Sequence, residues 1–425
     1  LYRAPRGTQD ILPAEQPYWR YLEQQAAQLA GLYGYLPIET PTFEDTRLFT
    51  RSVGEGTDIV EKEMYTFQDK GENSLTLRPE GTASACRAYL EHGMNNLPQP
   101  VKLYYRASIF RYERPQAGRY REHHQFGYEA FGDDSPSLDA EVIELAWRFF
   151  IGLGLTGLKL KLNSIGCREC RPHYLEVLRS YYDKADATLC PDCRVRRERN
   201  TLRLLDCKQP QCQALADNAP RNADHLCDDC AAHFEQLQGF LRLLELPFEI
   251  DHRLVRGLDY YTRTVFEVQP ESEGSQSTIG GGGRYDDLIA ELGGRPTPAI
   301  GFATGLERVV LNLKRAGINV PPLPQPRVFI AYIGEAAQEM AVRLSSTLRK
   351  ADVETGGLVG GKSLKAQLRQ ANNQGMRYTV IIGEDEVARG TAVVRDMSTS
   401  AQETVNADDL PGWLRLKLAE DEREG

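Results

Sequence analysis

No apolar run in the 425-residue chain is long enough to span a bilayer, and its first stretch (LYRAPRGTQDILPAEQ) lacks the basic-then-apolar layout of a secretory leader. A membrane partner is therefore not expected, and the cytoplasm is the expected location. An excess of positive charge is lacking too: 51 Lys and Arg against 60 Asp and Glu leave a net charge of -9. That excludes a chain coated in nonspecific nucleic-acid affinity. It leaves room for a local basic face, because binding follows clustered charge rather than the total.

The chain is long enough for two or three domains, and 41% hydrophobic with 26% charged residues gives each a core. Cysteine is plentiful and clustered. Eight of the nine lie in close pairs, Cys167/Cys170, Cys190/Cys193, Cys207/Cys212 and Cys227/Cys230. In a secreted chain such pairs mean disulfides; in a cytosolic one they suggest tetrahedral zinc. The spacings Cys170-x19-Cys190 and Cys212-x14-Cys227 permit one or two sites of four thiolates, with reduced thiols left from a lost site as the alternative.

Local patterning lays out the rest. A helix over about Glu15–Gly31 turns Tyr18, Leu22, Ala26 and Leu29 to the core. Tyr35–Phe43 reads as a strand whose two prolines put it at a sheet boundary or an interface. Short strands follow at Met64–Phe67, Leu75–Pro79 and Val101–Tyr105. Glu80-Gly81-Thr82 opens a helix to about His92, and capping is the local reading of Glu80 and Thr82. Tyr105–Pro115 and Gln125–Gly132 form two antiparallel strands joined by a long basic loop. On the second, Gln125, Gly127, Glu129 and Phe131 share one face while Phe126, Tyr128 and Ala130 share the other. Gln125 and Glu129 then make either a solvated face or the polar floor of a pocket. A helix over Leu138–Leu153 and a strand over Leu158–Leu162 lead into the cysteine segment, Gly166–Leu237, helical between its knuckles.

The stretch Leu254–Val268 (LVRGLDYYTRTVFEV) sets a fixed cation, a turn glycine, a carboxylate and two phenols ahead of an alternating run. An anion and a small polar ligand can bind at such a strand end. Tyr260 and Tyr261 cannot both face a ligand from a regular strand, so the strand is expected to begin after them. Gly280–Gly283 is expected as a close-packing turn feeding a helix over Asp287–Leu292; it forms neither G-x-x-x-x-G-K-[ST] nor a strand-linked G-x-G-x-x-G. Ala299–Leu311 reads as a strand turning into a helix, with Arg308 in the first turn, where the helix dipole favours an anion. A stiff proline-rich linker over 317–327 follows. Beyond it strands and helices alternate: Val328–Ile333, Glu335–Lys350, Val353–Gly356, Lys362–Asn372, Tyr378–Ile382, Ala392–Arg395 and a helix after Asp408, an α/β pattern. Lys362, Lys365 and Arg369 share one face there, opposite Leu364, Leu368 and Ala371; a solvated amphipathic helix is the plain reading.

Taken in this order, the segments resemble the histidyl-tRNA synthetases, within the class II aminoacyl-tRNA synthetase family. LVRGLDYYTRTVFEV and GGGRYD are similar to the two histidine-specific motifs, FRYERPQAGRYREHHQFGYEAFG to class II motif 2, and GFATGLERVVL to motif 3. The segment around Pro41 resembles motif 1, which implies a homodimer. The resemblance covers nearly the whole chain. It implies an α+β catalytic domain over 1–320, an antiparallel sheet flanked by helices, interrupted by an insertion domain over 166–240 that approaches the tRNA acceptor stem. An α/β anticodon-binding domain over 327–425 completes it.

The implied reaction joins L-histidine to ATP, with Mg2+, and passes the histidyl group to histidine tRNA. Arg256, Arg111 and Gln125 are the catalytic candidates, since a carboxylate attacking a phosphate needs fixed positive charge. Glu80, Gly81 and Thr82 would take the α-ammonium and Gln125 the carboxylate. Glu129 and Tyr261 would read the imidazole, with Tyr260 and Tyr285 as walls. Arg111, Glu113 and Arg308 would hold ATP. Arg114, Arg119 and Arg121 would approach ATP and the acceptor end, and Lys362, Lys365 and Arg369 the tRNA backbone. The eight paired cysteines are candidate ligands of a structural Zn2+ that the resemblance does not supply. The rival is a histidine-sensing regulatory paralogue of a biosynthetic enzyme, which keeps the fold but loses the reactive arginines and the tail; this chain keeps both.

Overall fold

Alternating burial from Val101 to Phe110 makes that strand and its neighbour Glu122–Phe131 the spine of the computed structural model. The structure describes residues 2–424 other than 55, 56, 58, 116, 117, 272–277 and 358–361. It divides into two compact units, 1–321 and 322–425.

In chain order the first unit contributes β1 (Leu36–Pro37), β2 (Phe43–Asp45), β3 (Tyr65–Gln68), β4 (Ser74–Leu77), β5 (Val101–Phe110), β6 (Glu122–Phe131), β7 (Leu158–Ser164), β8 (Phe248–Ile250), β9 (Thr262–Pro270), β10 (Gly280–Arg284) and β11 (Ala299–Gly305). Eight join in the order β1-β5-β6-β11-β10-β9-β7-β8. Pairing is antiparallel except at the two edges, where β1 lies parallel to β5 and β8 to β7. The strand predicted over Tyr35–Phe43 is split. Leu36–Pro37 ends the large sheet, and Phe43 begins a separate three-stranded one, β2-β4-β3. Its two prolines lack the N–H donors a continuous ladder needs.

A second expectation is corrected at Gly280–Gly283. These glycines are not a turn but the body of β10, paired on both sides by β9 and β11. The cause is crowding: a Cβ on Gly282 would lie 1.9 Å from the Gly301 carbonyl oxygen. Pairing with β9 slips between Gly283 and Arg284, and Arg263 opposite takes a left-handed φ of 47°. Such a bulge bends and re-aims the chain entering the strand.

On one sheet face the helices Gln16–Leu32, Pro136–Gly152, Asp228–Leu243 and Leu306–Arg315 cover Phe126, Tyr128, Phe266 and Phe302. The second of these starts where sequence dictates, at Pro136, with the Ser135 hydroxyl accepting the Leu138 N–H at 3.4 Å. The first turns Trp19, Leu22, Ala26 and Ala30 inward, leaving Tyr18 and Leu29 at the margin. Phe302 stacks between Tyr128 (6.1 Å) and Phe266 (6.2 Å); truncating an aromatic so placed typically costs about 3–5 kcal/mol. On the other face Leu103, Tyr105, Phe131 and Val265 share a core with Tyr174, Leu178 and Leu204, so the cysteine-rich insertion packs directly on the sheet. Its helices are Arg171–Asp183, Pro191–Arg199, Pro210–Asp217 and the start of Asp228–Leu243.

The second unit holds β12 (Val328–Tyr332), β13 (Thr355–Gly357), β14 (Tyr378–Ile382), β15 (Thr391–Asp396) and β16 (Gln402–Asn406), ordered β13-β12-β14-β15-β16. The first three are mutually parallel and the rest antiparallel. Sequence reading missed β16, whose residues are all exposed but Val405, and the helix Glu384–Arg389. Lys362 precedes the helix Leu364–Asn373 rather than lying in it; Lys362, Lys365 and Arg369 are exposed. Gln367 is the buried anchor, its amide bonded both ways to the Tyr332 backbone (3.1 and 2.8 Å). The run Gly356–Ser363 fits G-x-x-x-x-G-K-[ST], a match sequence reading also missed; its residues 358–361 lie outside those described.

Candidate active site

One cavity beside the sheet brings together the residues singled out to hold histidine or ATP, while Arg114 and Arg121 of the basic loop do not line it. Glu80, Gly81, Thr82, Arg111, Glu113, Gln125, Glu129, Arg256, Tyr260, Tyr261, Tyr285 and Arg308 all line one cavity of about 300 Å³. Tyr260 and Tyr261 precede β9, which starts at Thr262, and the bulge at Arg263 lets both buried rings face the cavity. Their centroids are 4.7 Å apart, and Tyr285 meets Tyr260 edge-on at 5.6 Å.

The closed end is built around Glu129, which is 1% exposed. Its Oε1 accepts from the Thr82 hydroxyl (2.7 Å) and the Tyr105 hydroxyl (3.0 Å), its Oε2 from the Tyr285 hydroxyl (2.5 Å). Burial pushes this carboxyl up to about 8, against the pull of the Tyr285 and Thr82 hydroxyls. A carboxylate has about four acceptor sites, so three donors leave it room for one more. Glu80 is buried as well, and burial raises its carboxyl. Its two oxygens take the N–H groups of Thr82 and Ala83 at 2.7 Å each, so the capping role expected locally is present. One N–H per oxygen leaves acceptor capacity for an ammonium.

The open end is cationic. Arg111 is held by the Pro79 carbonyl (2.7 Å) and Arg308 by the carbonyls of Thr278 (2.8 Å) and Gly118 (3.2 Å). Arg256 is ion-paired to Glu267 and lies 5.7 Å from the Tyr261 ring centroid; among the described residues its buried Nε has no hydrogen-bond partner. Burial and the Arg111 charge hold His123 neutral, down to about 3. In the basic loop Arg114 and Arg119 are exposed, Arg119 pairing with Glu113 at 2.9 Å. Arg121 is instead absorbed by structure, its guanidinium 3.7 Å over the Tyr112 ring. A second cavity of about 370 Å³ shares Arg111, Glu113 and Arg119 with the first and is walled by Arg196, Arg199 and Arg203 of the insertion.

Three functional neighbours escaped sequence reading. Tyr105 lies opposite Gly127 in the β5–β6 register and fits because Gly81 and Gly127 lack side chains: a Cβ on either would come within 2.3 Å of its ring. Pairing the two strands by their alternation would have found it. Glu267 faces Gly281 across β9–β10 and fixes Arg256. Glu307 accepts both the backbone N–H (3.0 Å) and the ring Nδ1 (2.8 Å) of His124, which ties the helix carrying Arg308 to β6.

The eight paired cysteines form two clusters, but nested rather than in sequence order. Cys167, Cys170, Cys227 and Cys230 make an outer set; Cys190, Cys193, Cys207 and Cys212 make an inner one. The spacing of neighbouring pairs, Cys170 to Cys190 and Cys212 to Cys227, is thus not what joins them: the helices between fold the inner pairs onto each other. In each set the four sulfurs lie within 4.8 Å of one another. The separations Cys167–Cys170, Cys167–Cys227 and Cys190–Cys207 are all 3.8 Å. Four thiolates at ~2.3 Å from a tetrahedral zinc are about 3.8 Å apart, whereas a disulfide needs ~2.05 Å.

An antiparallel sheet flanked by helices, three arginines at the mouth of a cavity, and a polar pocket at its closed end define a class II aminoacyl-tRNA synthetase. A family model for histidyl-tRNA synthetase matches residues 7–309, and one for an anticodon binding domain matches 327–417. A histidine–tRNA ligase of Dehalococcoides mccartyi is 62% identical, covering 96% of this chain and 98% of that one. Another from Desulforamulus reducens is 52% identical over 98% of this chain and all of its own. The crystal structure of apo S. aureus histidyl-tRNA synthetase superposes with a TM-score of 0.81 at 38% identity, covering 97% of this chain and 99% of that one. The chain belongs to the histidyl-tRNA synthetase family and is an aminoacyl-tRNA ligase.

Proposed function

We propose that this chain activates L-histidine with ATP to histidyl-adenylate and pyrophosphate, then transfers the histidyl group to the terminal ribose of histidine tRNA. The observation that carries this reading is the polarity of a single cavity. A buried Glu129 ringed by hydroxyls at one end suits a neutral imidazole, and Arg111, Arg256 and Arg308 at the other suit a triphosphate. Histidine would enter imidazole first, with Glu129 and Tyr261 reading its nitrogens and Glu80 and Thr82 accepting from the ammonium. Gln125 would orient the carboxylate for attack on the α-phosphorus, as the bond to the bridging oxygen of pyrophosphate breaks. Arg111 and Arg256 would offset the charge gathering on that phosphorus, and Arg308 would hold the outer phosphates. Magnesium needs hard oxygen donors, which Glu113 and Glu267 offer in the same cavity.

The basic second cavity supports passage of the acceptor end between Arg111, Arg119 and the insertion over 166–240. The exposed Lys365 and Arg369, with Lys362 before them, would meet the tRNA backbone from the unit over 327–425. Exposed Leu36, Phe43 and Phe67, the last two in edge-on contact at 6.0 Å, support a homodimer surface near Pro41. Among the described residues no helix is long and apolar enough to cross a membrane. The nested thiolates fit two structural zinc ions, one per cluster, in a cytoplasm that keeps thiols reduced.

Histidine-dependent ATP–pyrophosphate exchange tests this function. Exchange should require histidine and fall to background with other amino acids. Histidine binding without exchange would replace the reading with that of a sensor.

A further inference from the structure

We infer that Arg171 is a positioning residue for the histidine end of the cavity, and that it links the metal state of the outer thiolate cluster to histidine affinity. The inference rests on the assignment of Tyr260 and Tyr261 to histidine made above.

Arg171 directly follows Cys170 and opens the helix Arg171–Asp183. Arg171 itself does not line the cavity. It donates instead to three backbone carbonyls: Ile165 (3.1 Å) and Gly166 (3.0 Å) on the turn leading to the cluster, and Tyr261 (2.6 Å) on the histidine loop. A rigid planar fork of five donors on three nitrogens can reach three separated acceptors from one fixed geometry, which the three donors on a lysine's single nitrogen do not reproduce.

The turn it grips is shaped by the cluster. Gly166 has a φ of 70°, and a Cβ there would lie 2.8 Å from Cys170 Sγ. The Gly166 carbonyl also accepts the Arg263 N–H (2.9 Å), while Ile165 N–H donates to the Arg263 carbonyl (2.8 Å). Arg263 is the left-handed residue at the bulge that turns both tyrosines into the cavity. A non-glycine residue stays in that region only while its surroundings over-determine it. One turn beside the outer cluster therefore holds both the Tyr261 carbonyl and the bulge that aims the ring. The inner cluster contributes more distantly: Asn200, after the helix that carries Cys193, donates to Asp259 at 2.6 Å. A metal in the outer set would fix Cys167 and Cys170, and with them the turn from 165 to 171. Without it, the Arg171 fork loses its fixed base.

The experiment measures KM for histidine and for ATP separately by pyrophosphate exchange in the full chain. Arg171→Met, Arg171→Lys and Cys227→Ser are compared with wild type, with zinc content and melting temperature recorded for each. Losing charge-assisted bonds to the loop should raise the histidine KM about 10- to 100-fold in Arg171→Met, with the ATP KM within about twofold and zinc unchanged. Arg171→Lys should fall between. Cys227→Ser should lose one zinc and raise the histidine KM in the same sense. A histidine KM that moves less than about threefold, or that rises in step with the ATP KM, overturns the positioning role. Zinc-free wild type with an intact Arg171 effect overturns the metal link. Absence of histidine-dependent exchange in wild type would instead overturn the functional reading, before any variant is compared.

Discussion

Replacing Arg256 by histidine should leave a folded protein that barely forms adenylate. One Nη of Arg256 is committed to Glu267, its buried Nε has no hydrogen-bond partner among the described residues, and the side chain lines the cavity shared with Arg111 and Arg308. Losing a single donor to a transition-state oxyanion typically costs about 10²–10³ in kcat, or ~2.7–4 kcal/mol, so exchange should drop at least about 10²-fold. The substitution also strands Glu267, whose second oxygen remains bonded to the Thr278 hydroxyl (2.6 Å) and the Gln269 amide (2.8 Å). Leaving that half-buried carboxylate without its cation should lower stability by about 1–3 kcal/mol. The two effects separate in the double variant Arg256→His/Glu267→Gln, which should recover melting temperature but not rate. Pyrophosphate exchange at saturating histidine and ATP, with far-UV circular dichroism as the fold control, reads both. Exchange within about tenfold of wild type would refute the role, as would a rate restored by Glu267→Gln.

Two other outcomes follow from the geometry. Glu129 has a folded pKa raised from 4.5 to about 8, so the stability tied to its proton is full below its ordinary value and is lost as pH rises through 8. Glu129→Gln cannot ionise, so the melting temperature of ligand-free variant minus wild type should become more positive between roughly pH 5 and pH 9; a flat difference would refute the buried proton. Metal analysis of protein purified without chelator should find about two zinc ions per chain, and stripping them should lower the melting temperature. Zero metal, with all nine thiols titratable, would leave the clusters as plain reduced cysteines.

Much of the site was legible because it depends on short-range periodicity. The alternation that separated Gln125 and Glu129 from Phe126 and Tyr128 is a property of one strand, and so is the prediction that the strand starts after Tyr261. What stayed hidden depends on partners distant in sequence. Tyr105 matters because it faces Gly127 across a pairing whose register no single strand reveals. Gly280–Gly283 read as a turn because glycine usually marks one; it is a strand because Gly301 and Thr264 press on it from both sides. The grouping of the thiolates stayed open because spacing along the chain does not show which pairs meet, and the insertion closes its outer pairs, Cys167 with Cys227, across the whole segment.

The glycines around this cavity bear on its evolvability. The pocket is hollowed out by side chains that are missing: a Cβ on Gly301 would lie 1.8 Å from Glu129 Oε2, one on Gly281 2.8 Å from Arg256 Nη1, and one on Gly127 2.1 Å from the Tyr105 ring. Every replacement at these positions begins with that same carbon, so the first mutational step is a collision whatever amino acid follows. Drift toward another substrate has no gradual path through the floor. It has to run through the walls, at Tyr260, Tyr261 and Tyr285, where a side chain can shrink without meeting a neighbour.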